Sequence, residues 1–397
     1  MNPPCLDASR RNSYFCDVSQ TRWAVAIQSK KVPLDLELST AVCRCLQQLG
    51  HPTFLVEDGD PAGFAAEVLL LLTNLGNFPV YGRRLESCGS QRPIAILWQL
   101  DPLPPENLPP EAEAAGLKAA RWRDRFWLHQ SAAAMPRWKK LCTLFRLREW
   151  ACKQCSAPGY RKASRLMRRS SGGDFDWKQV RGVMETWRMI LDSHREGWLD
   201  HFAVSTDQRR RFLASRGILA HFVPVGAYEE MGRDLGRPRD NAVGFLGAVK
   251  HGRRTALLEQ LSRRLKEKGI PLTRVTNGCH GEERCEWLNR TRILVHLHQY
   301  SWNPAWIRFL LAAQCGTLVV SEPMNDDHPM VAGVHYIAAT TEEMPEVIGK
   351  LLDDPQKICQ VTSAAAHLCL HELTLLRAVE KLSGLAQAEK PEMPCRN

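Results

Sequence analysis

The chain has 397 residues, 44% of them hydrophobic and 24% charged, with a formal net charge of +10. That length favours two domains over a single core, and the composition excludes a disordered or fibrous chain. No run reaches eighteen uninterrupted apolar residues, and the start MNPPCLDASRRNSYFCDV lacks the apolar stretch of a secretory signal, so a cytoplasmic protein is expected.

WAVAIQS (23–29) predicts a first strand, followed by an amphipathic helix over about 35–49 that stops at Gly50. TFLVED predicts a second strand. AEVLLLLT (66–73) and PIAILWQL (93–100) predict a third and a fourth, apolar throughout as strands covered on both faces must be. The fourth runs into WQLDPLPPE, where Trp98 and Gln99 are acceptor-side candidates. Asp101, on a proline-locked turn, is the candidate general base, and it could equally cap the turn. His51 and His129 are further candidates for that role.

From about 106 to 198 the pattern turns helical and basic. Breaks are expected at APGY (157–160) and at SSGGDFD, where Asp174 or Asp176 can cap the helix carrying Trp177 to Arg195. Between Arg121 and Arg169 the lysines and arginines far outnumber the acids Asp124 and Glu149, with Trp122, Trp127, Trp138 and Trp150 among them. Such a segment suits an anionic polymer, a membrane surface or an acidic acceptor, or is a solvated helical face over packed tryptophans. DHFAVST (200–206), DQRRRFLASRG and AHFVPVG (220–226) restore the strand–helix–strand pattern. EEMGRDLGRPRD (229–240) has no apolar period and reads as a linker.

A second series follows: NAVGFLGAV as strand, RRTALLEQLSRRLKEKG as helix, LTRVTNG as strand, GEERCEWLNRT as helix and RILVHLHQY as a buried strand. Helices over about 341–353 and 355–384 complete it. The fourteen cysteines are scattered, many in apolar helical stretches, and read as small buried hydrophobes. The one CxxC, Cys152 to Cys155, lacks a second half at zinc spacing, and no metal site is expected.

In open parallel sheets ligands bind beyond the carboxyl ends of the strands. In the second series those ends carry polar residues. Gly247 lets a ligand approach the backbone, and Lys250, Arg253 and Arg254 follow at a helix start, a combination suited to a diphosphate. Asn277 lies in the next loop, as a contact to a base or sugar or as part of a plain Asn-Gly turn. His298 and Tyr300 end a central strand, with His296 on the same side in the alternation.

SWNPAWIRFLLAAQCGTLVVSEPMND (301–326) completes this set. With Arg308, Ala312, Gln314, Cys315, Gly316, Ser321 and Glu322 at matching positions, residues 200–372 resemble the donor-binding domain of bacterial glycosyltransferases with the B fold. The match departs at Leu311, where the family pattern has an acid. The resemblance implies two Rossmann-like α/β domains facing across a cleft. One covers 1–228 and carries the helical insertion of about 106–198, the other covers 241–372, and 373–397 is a helix end and tail that crosses back to brace the first domain. It implies transfer of a sugar from a nucleotide sugar to an acceptor, without a cofactor or a metal. Gly247, Lys250, Arg253, Arg254, Asn277, His298, Tyr300, Arg308, Gly316 and Glu322 would hold the donor. The acceptor is unidentified, an anionic one being among the options, and residues 121–169 could also meet a nucleic acid or the inner membrane surface. The alternatives are a protein that binds or modifies nucleic acid through the basic segment, and an inactive glycosyltransferase-like scaffold.

Overall fold

In the computed structural model the described residues are 21–28, 33–88, 91–127, 139–171, 175–249, 252–302, 307–324 and 329–388, with backbone alone for 121–127 and 139–153. Two sheets, parallel throughout, organise them. The first is built by β1 (Trp23–Ile27), α1 (Pro33–Gln48), β2 (Thr53–Glu57), β3 (Val68–Thr73), α2 (Pro79–Ser87) and β4 (Ile94–Gln99). Three helices, α3 (Pro110–Trp127), α4 (Lys139–Ser171) and α5 (Trp177–Glu196), intervene before β5 (His201–Val204), α6 (Asp207–Ala214) and β6 (His221–Phe222). The strand order is β2-β1-β3-β4-β5-β6.

The second sheet comes from β7 (Asn241–Leu246), α7 (Gly252–Glu267), β8 (Leu272–Val275), α8 (Gly281–Asn289), β9 (Thr291–His296), α9 (Ile307–Gln314), β10 (Leu318–Ser321) and β11 (Ile337–Ala338). Its order is β11-β10-β9-β7-β8. The chain closes with α10 (Met344–Leu352), α11 (Pro355–His367) and α12 (Leu375–Gln387). In each sheet the chain steps outward once and then returns past its starting strand, which opens a crevice between β1 and β3 and another between β7 and β9. Ligands of parallel sheets settle at such reversals.

The apolar runs became the central strands for the expected reason. Every residue of β3 is buried, as is every residue of β4 after Ile94, because helices cover both faces. Trp98 and Gln99 are therefore not acceptor contacts. The Trp98 indole is fully buried and donates Nε1–H to the Val223 carbonyl at 2.9 Å. Gln99 is 1% exposed and donates Nε2–H to the Asp101 carbonyl at 3.1 Å, bracing the turn from beneath.

The break expected at APGY does not occur, since Pro158 and Gly159 lie inside α4. Gly159 packs so closely on α3 that a β-carbon there would come within 2.7 Å of the Ala119 methyl, so helix contact keeps the segment helical. The second break does occur, and Asp176 caps α5 by accepting from Lys178 N at 3.0 Å.

The long final helix expected over 355–384 is interrupted by a π-turn at Leu368–Glu372. There the backbone leaves the helix to pair with residue 227: Ala227 N donates to Leu373 O at 2.7 Å and Leu375 N to Ala227 O at 2.8 Å. Gly226 permits this approach, since a β-carbon on it would lie 2.0 Å from the Thr374 carbonyl carbon. Beyond the break α12 packs on α1, and His51 Nε2 meets Ser383 Oγ at 2.8 Å. His51 is thus a brace at this junction.

Residues 229–240 are pinned to the second sheet's helices, not free. Arg233 and Arg237 pair with Glu282 and Glu286 of α8, and Asn289 Oδ1 accepts from Leu235 N at 2.7 Å. Among the described residues no helix is long and apolar enough to cross a membrane.

Candidate active site

Four loops at the carboxyl edge of the second sheet bring the guanidinium groups together. Gly247 ends the turn after β7 with φ +141, and the Arg308 guanidinium covers the space a β-carbon would take, 2.5 Å from Nη2. Arg253, in the first turn of α7, forms a two-pronged ion pair with the Glu322 carboxylate, Nη1 to Oε2 at 3.1 Å and Nη2 to Oε1. Arg253 Nη1 also donates to His298 O at 3.1 Å, and Glu322 Oε2 accepts from His298 N at 2.7 Å. Glu322 therefore locks the ends of β9, β10 and α7 into one frame.

Arg254, the neighbour of that pair, is in a different state. It is 1% exposed and donates Nη1–H to Ala248 O at 3.0 Å, while Nε and Nη2 have no partner among the described residues. Burial, reinforced by the positive charges of Arg308 and Arg253, pushes its pKa down to about 9, and burial brings Arg308 to about 10. Both remain protonated at neutral pH. Arg253 thus pairs with the Glu322 carboxylate, Arg254 lies within the fields of Glu322 and of Arg308, and the three cations with one acid leave a positive excess in a poorly solvated place.

The histidines beside them are neutral. His298 is held below its ordinary range by burial, and its Nε2–H donates to Glu322 O at 3.1 Å, leaving Nδ1 as a buried acceptor with no partner among the described residues. His296 is fully enclosed and depressed well below that range by burial and by the charges of its neighbours; its ring lies 5.1 Å from Phe309. It is a core residue bordering the site.

Tyr300 links this frame to the first sheet. Its hydroxyl is raised first by burial and then by the negative charge of Asp101, while Arg254 acts in the opposite sense. Asp101 follows β4, and its Oδ2 accepts from Asn74 Nδ2 at 3.0 Å. Burial raises its carboxyl above the ordinary value, although the residue is exposed. The buried Arg209 of α6 offsets part of that rise, and the field of Asp101 in turn keeps Arg209 from falling further than about 10. The loop beside it is strained: Thr73, a β-branched residue, has φ +76, and its carbonyl accepts from both Leu100 N and Asp101 N.

A second carboxylate, absent from the sequence expectations, completes this wall. Asp35 stands in the first turn of α1, after β1, and is raised to about 6 by burial and by the charge of Asp101, against a hydrogen bond from Gln28. Its signal was available as an acid opening the helix that follows the first strand, at the reversal point of that sheet.

The remaining candidates separate. Asn277 is exposed in the turn after β8, at the same edge. Lys250 lies outside the described residues, as do His129 and the tryptophan side chains at 122, 127, 138 and 150. Gly316 is not at the site. It follows the far end of α9 with φ +64, its N–H donates to Ala313 O, and it borders a rear groove with Tyr228, Arg233 and Cys369. Arg239 fills the space beside it and donates to Cys315 O at 2.7 Å, so the glycine is a helix terminator. Leu311, where the resemblance leads one to expect an acid, is 3% exposed in the apolar cluster with Phe309 and Leu310.

No family model and no curated protein matches the chain. Solved structures do. It is similar to Anabaena HepE in complex with UDP and glucose, at 10% identity and TM-score 0.52 over 92% of this chain and 99% of that one. It is similar in the same degree to an α-glucosyltransferase in complex with UDP and a 13-mer DNA containing an HMU base, at 9% identity and TM-score 0.52 over 93% and 100%. The chain has the two-domain glycosyltransferase B fold.

Proposed function

We propose that the protein is a glycosyltransferase that takes a sugar from a nucleotide sugar, most simply a uridine diphosphate sugar, and passes it to an acceptor hydroxyl. The observation that carries this reading is the grouping of Arg253, Arg254 and Arg308 around a single acid, Glu322, with two buried donor nitrogens of Arg254 left without a partner among the described residues. A leaving diphosphate supplies the missing negative charge and acceptor oxygens, and the donors are already oriented for the charge that grows as the sugar–phosphate bond breaks. The lack of a side chain at Gly247 makes room for the Arg308 guanidinium, and Glu322 holds Arg253 in place. The donor is itself the substrate, and the arginines take the part a cation would otherwise play.

Asp101 is the base in this reading. It accepts the proton of the acceptor hydroxyl as that oxygen bonds to the anomeric carbon, and the bond from that carbon to the diphosphate breaks. Burial raises its carboxyl, the direction that strengthens a carboxylate as a base. The UDP bound in HepE and in the α-glucosyltransferase supports uridine as the base. The test is release of UDP from UDP-glucose and other UDP-sugars, with water as surrogate acceptor. Turnover above the blank, lowered about 10²-fold by Asp101→Asn with UDP still bound, is the expected result. No turnover and no binding of any nucleotide would refute it.

A further inference from the structure

The described half of α4 carries Arg161, Lys162, Arg165, Arg168 and Arg169, all exposed. At 100° per residue they share about 120° of the helix surface over roughly 12 Å. Arg161 lies over the Trp177 ring at 5.2 Å, and Arg168 donates to Phe175 O from Nε at 3.1 Å and Nη2 at 2.9 Å. Lys162, Arg165 and Arg169 have no carboxylate partner among the described residues. Elsewhere on the surface Arg188, Arg211, Arg233, Arg237, Arg274 and Arg290 each pair with an acid. A solvated helix of ordinary design intersperses such acids at i±3 and i±4; residues 154–171 contain none.

The segment that follows the stripe is tied to the loop after β9. Phe175, which holds Arg168, stacks on Trp302 of the loop after β9, and Gln179 Nε2 donates to Gln299 O at 2.8 Å. The apolar side of α4 is already used, with Tyr160, Ala163 and Met167 in the core shared with α3 and α5. None of the large exposed hydrophobic side chains among the described residues lies on α4, so this face offers charge without a group to insert into lipid. Four of its five cations are arginines, whose forked donors fit phosphate oxygens.

We infer that this face of α4 is the docking track for a polyphosphodiester acceptor, leading its sugar-accepting end into the cleft beside Trp302; the word acceptor rests on the glycosyl-transfer reading. Neighbouring guanidinium groups at i, i+4 and i+7 present a row about 10 Å long, and each phosphate they neutralise releases counterions and makes binding salt-dependent.

The test uses the full chain and the triple variant Lys162→Glu/Arg165→Glu/Arg169→Glu. A control, Arg263→Glu/Lys266→Glu/Arg377→Glu, makes the same charge change on other exposed surfaces. Binding of labelled inorganic polyphosphate, a labelled single-stranded oligodeoxynucleotide and phosphatidylglycerol vesicles is followed against salt. The stripe variant should bind the polymers at least about 10-fold more weakly, with a log–log salt slope shallower by about two, while the control stays close to wild type. Equal binding of both polymers means that the phosphate row suffices, and binding of the oligonucleotide alone makes nucleic acid the source; either keeps the proposal. Unchanged affinity in the stripe variant, an equal loss in the control, or binding to vesicles alone overturns it. The thermal shift given by UDP is measured in parallel and should be the same in wild type and stripe variant. If UDP gives none with wild type while the variant still loses the polymers, the transfer reading fails and the track remains as a polyphosphate-binding surface.

Discussion

The Trp302 indole, carried on the loop after β9, stacks on Phe175 of the helical insertion with ring centroids 4.6 Å apart and planes at 24°. Its Nε1–H donates to Leu103 O at 3.0 Å, and the ring is 5% exposed within the first sheet's apolar cluster. The same loop holds His298 and Tyr300 at one end and leads to Arg308 at the other. The wall with the arginines and the wall with Asp101 are thus joined by a residue packed as tightly as core.

Trp302→Ala should cost about 3–5 kcal/mol in stability, as removal of a core aromatic does. Trp302→Phe keeps the stack and loses one hydrogen bond, which is worth about 1 kcal/mol. The Phe variant should therefore fold normally and hold UDP-glucose less tightly, seen as a raised KM with little change in kcat. Chemical denaturation and steady-state kinetics read the two effects separately.

Arg254→Met should make the ligand-free protein as stable or more stable, by up to about 3 kcal/mol, since a buried cation without sufficient counter-charge is replaced by apolar atoms of similar length. Urea unfolding without nucleotide measures this. A loss of several kcal/mol would mean that Arg254 is a structural residue already satisfied in the free protein.

The two carboxylates predict a pH dependence. Asp35 is raised from 3.8 to about 6, so between those values the folded chain binds more protons than the unfolded one. Its contribution favours folding at low pH and is lost as pH rises through about 6. Asp35→Asn should therefore gain stability relative to wild type as pH rises from 4.5 to 7. Asp101→Asn removes the neighbouring charge and should shift the wild-type dependence to lower pH. Urea midpoints across that range check both.

Gly226→Ala should destabilise by about 1–3 kcal/mol, the scale of overpacking, because the new methyl meets the Thr374–Leu375 backbone. Gly217→Ala, at φ +73 with nothing near its missing β-carbon, shows the cost of left-handed backbone alone, a cost that Gly226 does not carry because its φ is not positive. Denaturation of both variants, read beside the exchange rate of the Ala227 and Leu375 amides, locates the effect at the junction.

Much of this was legible in the chain. Continuous apolar runs at 68–73 and 94–99 identify strands buried on two faces, and the polar residues just beyond β7, β9 and β10 mark the edge where ligands gather. Arg253, Arg254, Arg308 and Glu322 were nominated that way, and the fold brings them to one edge of the second sheet. Trp98 and Gln99 were misplaced because a strand covered on both sides has no alternation to separate core from cleft. Gly316 was misplaced because a glycine that ends a helix looks the same as one that admits a ligand; only the chain direction puts it at the rear. Pro158-Gly159 looked like a break because the α3 surface that holds it helical is distant in sequence. Asp35 and Trp302 owe their importance to neighbours 66 and 127 positions away, Asp101 and Phe175, which no local pattern reveals.

If the guanidinium cluster is a diphosphate site, thermal unfolding with and without UDP must show it. A ligand that binds only the folded chain stabilises it by about 2.7 kcal/mol at a hundred times its Kd. Wild type should melt several degrees higher with UDP and not with uridine, and Arg254→Met should melt at the same temperature with and without UDP. An equal rise for uridine and UDP, or a rise that survives Arg254→Met undiminished, would contradict the account.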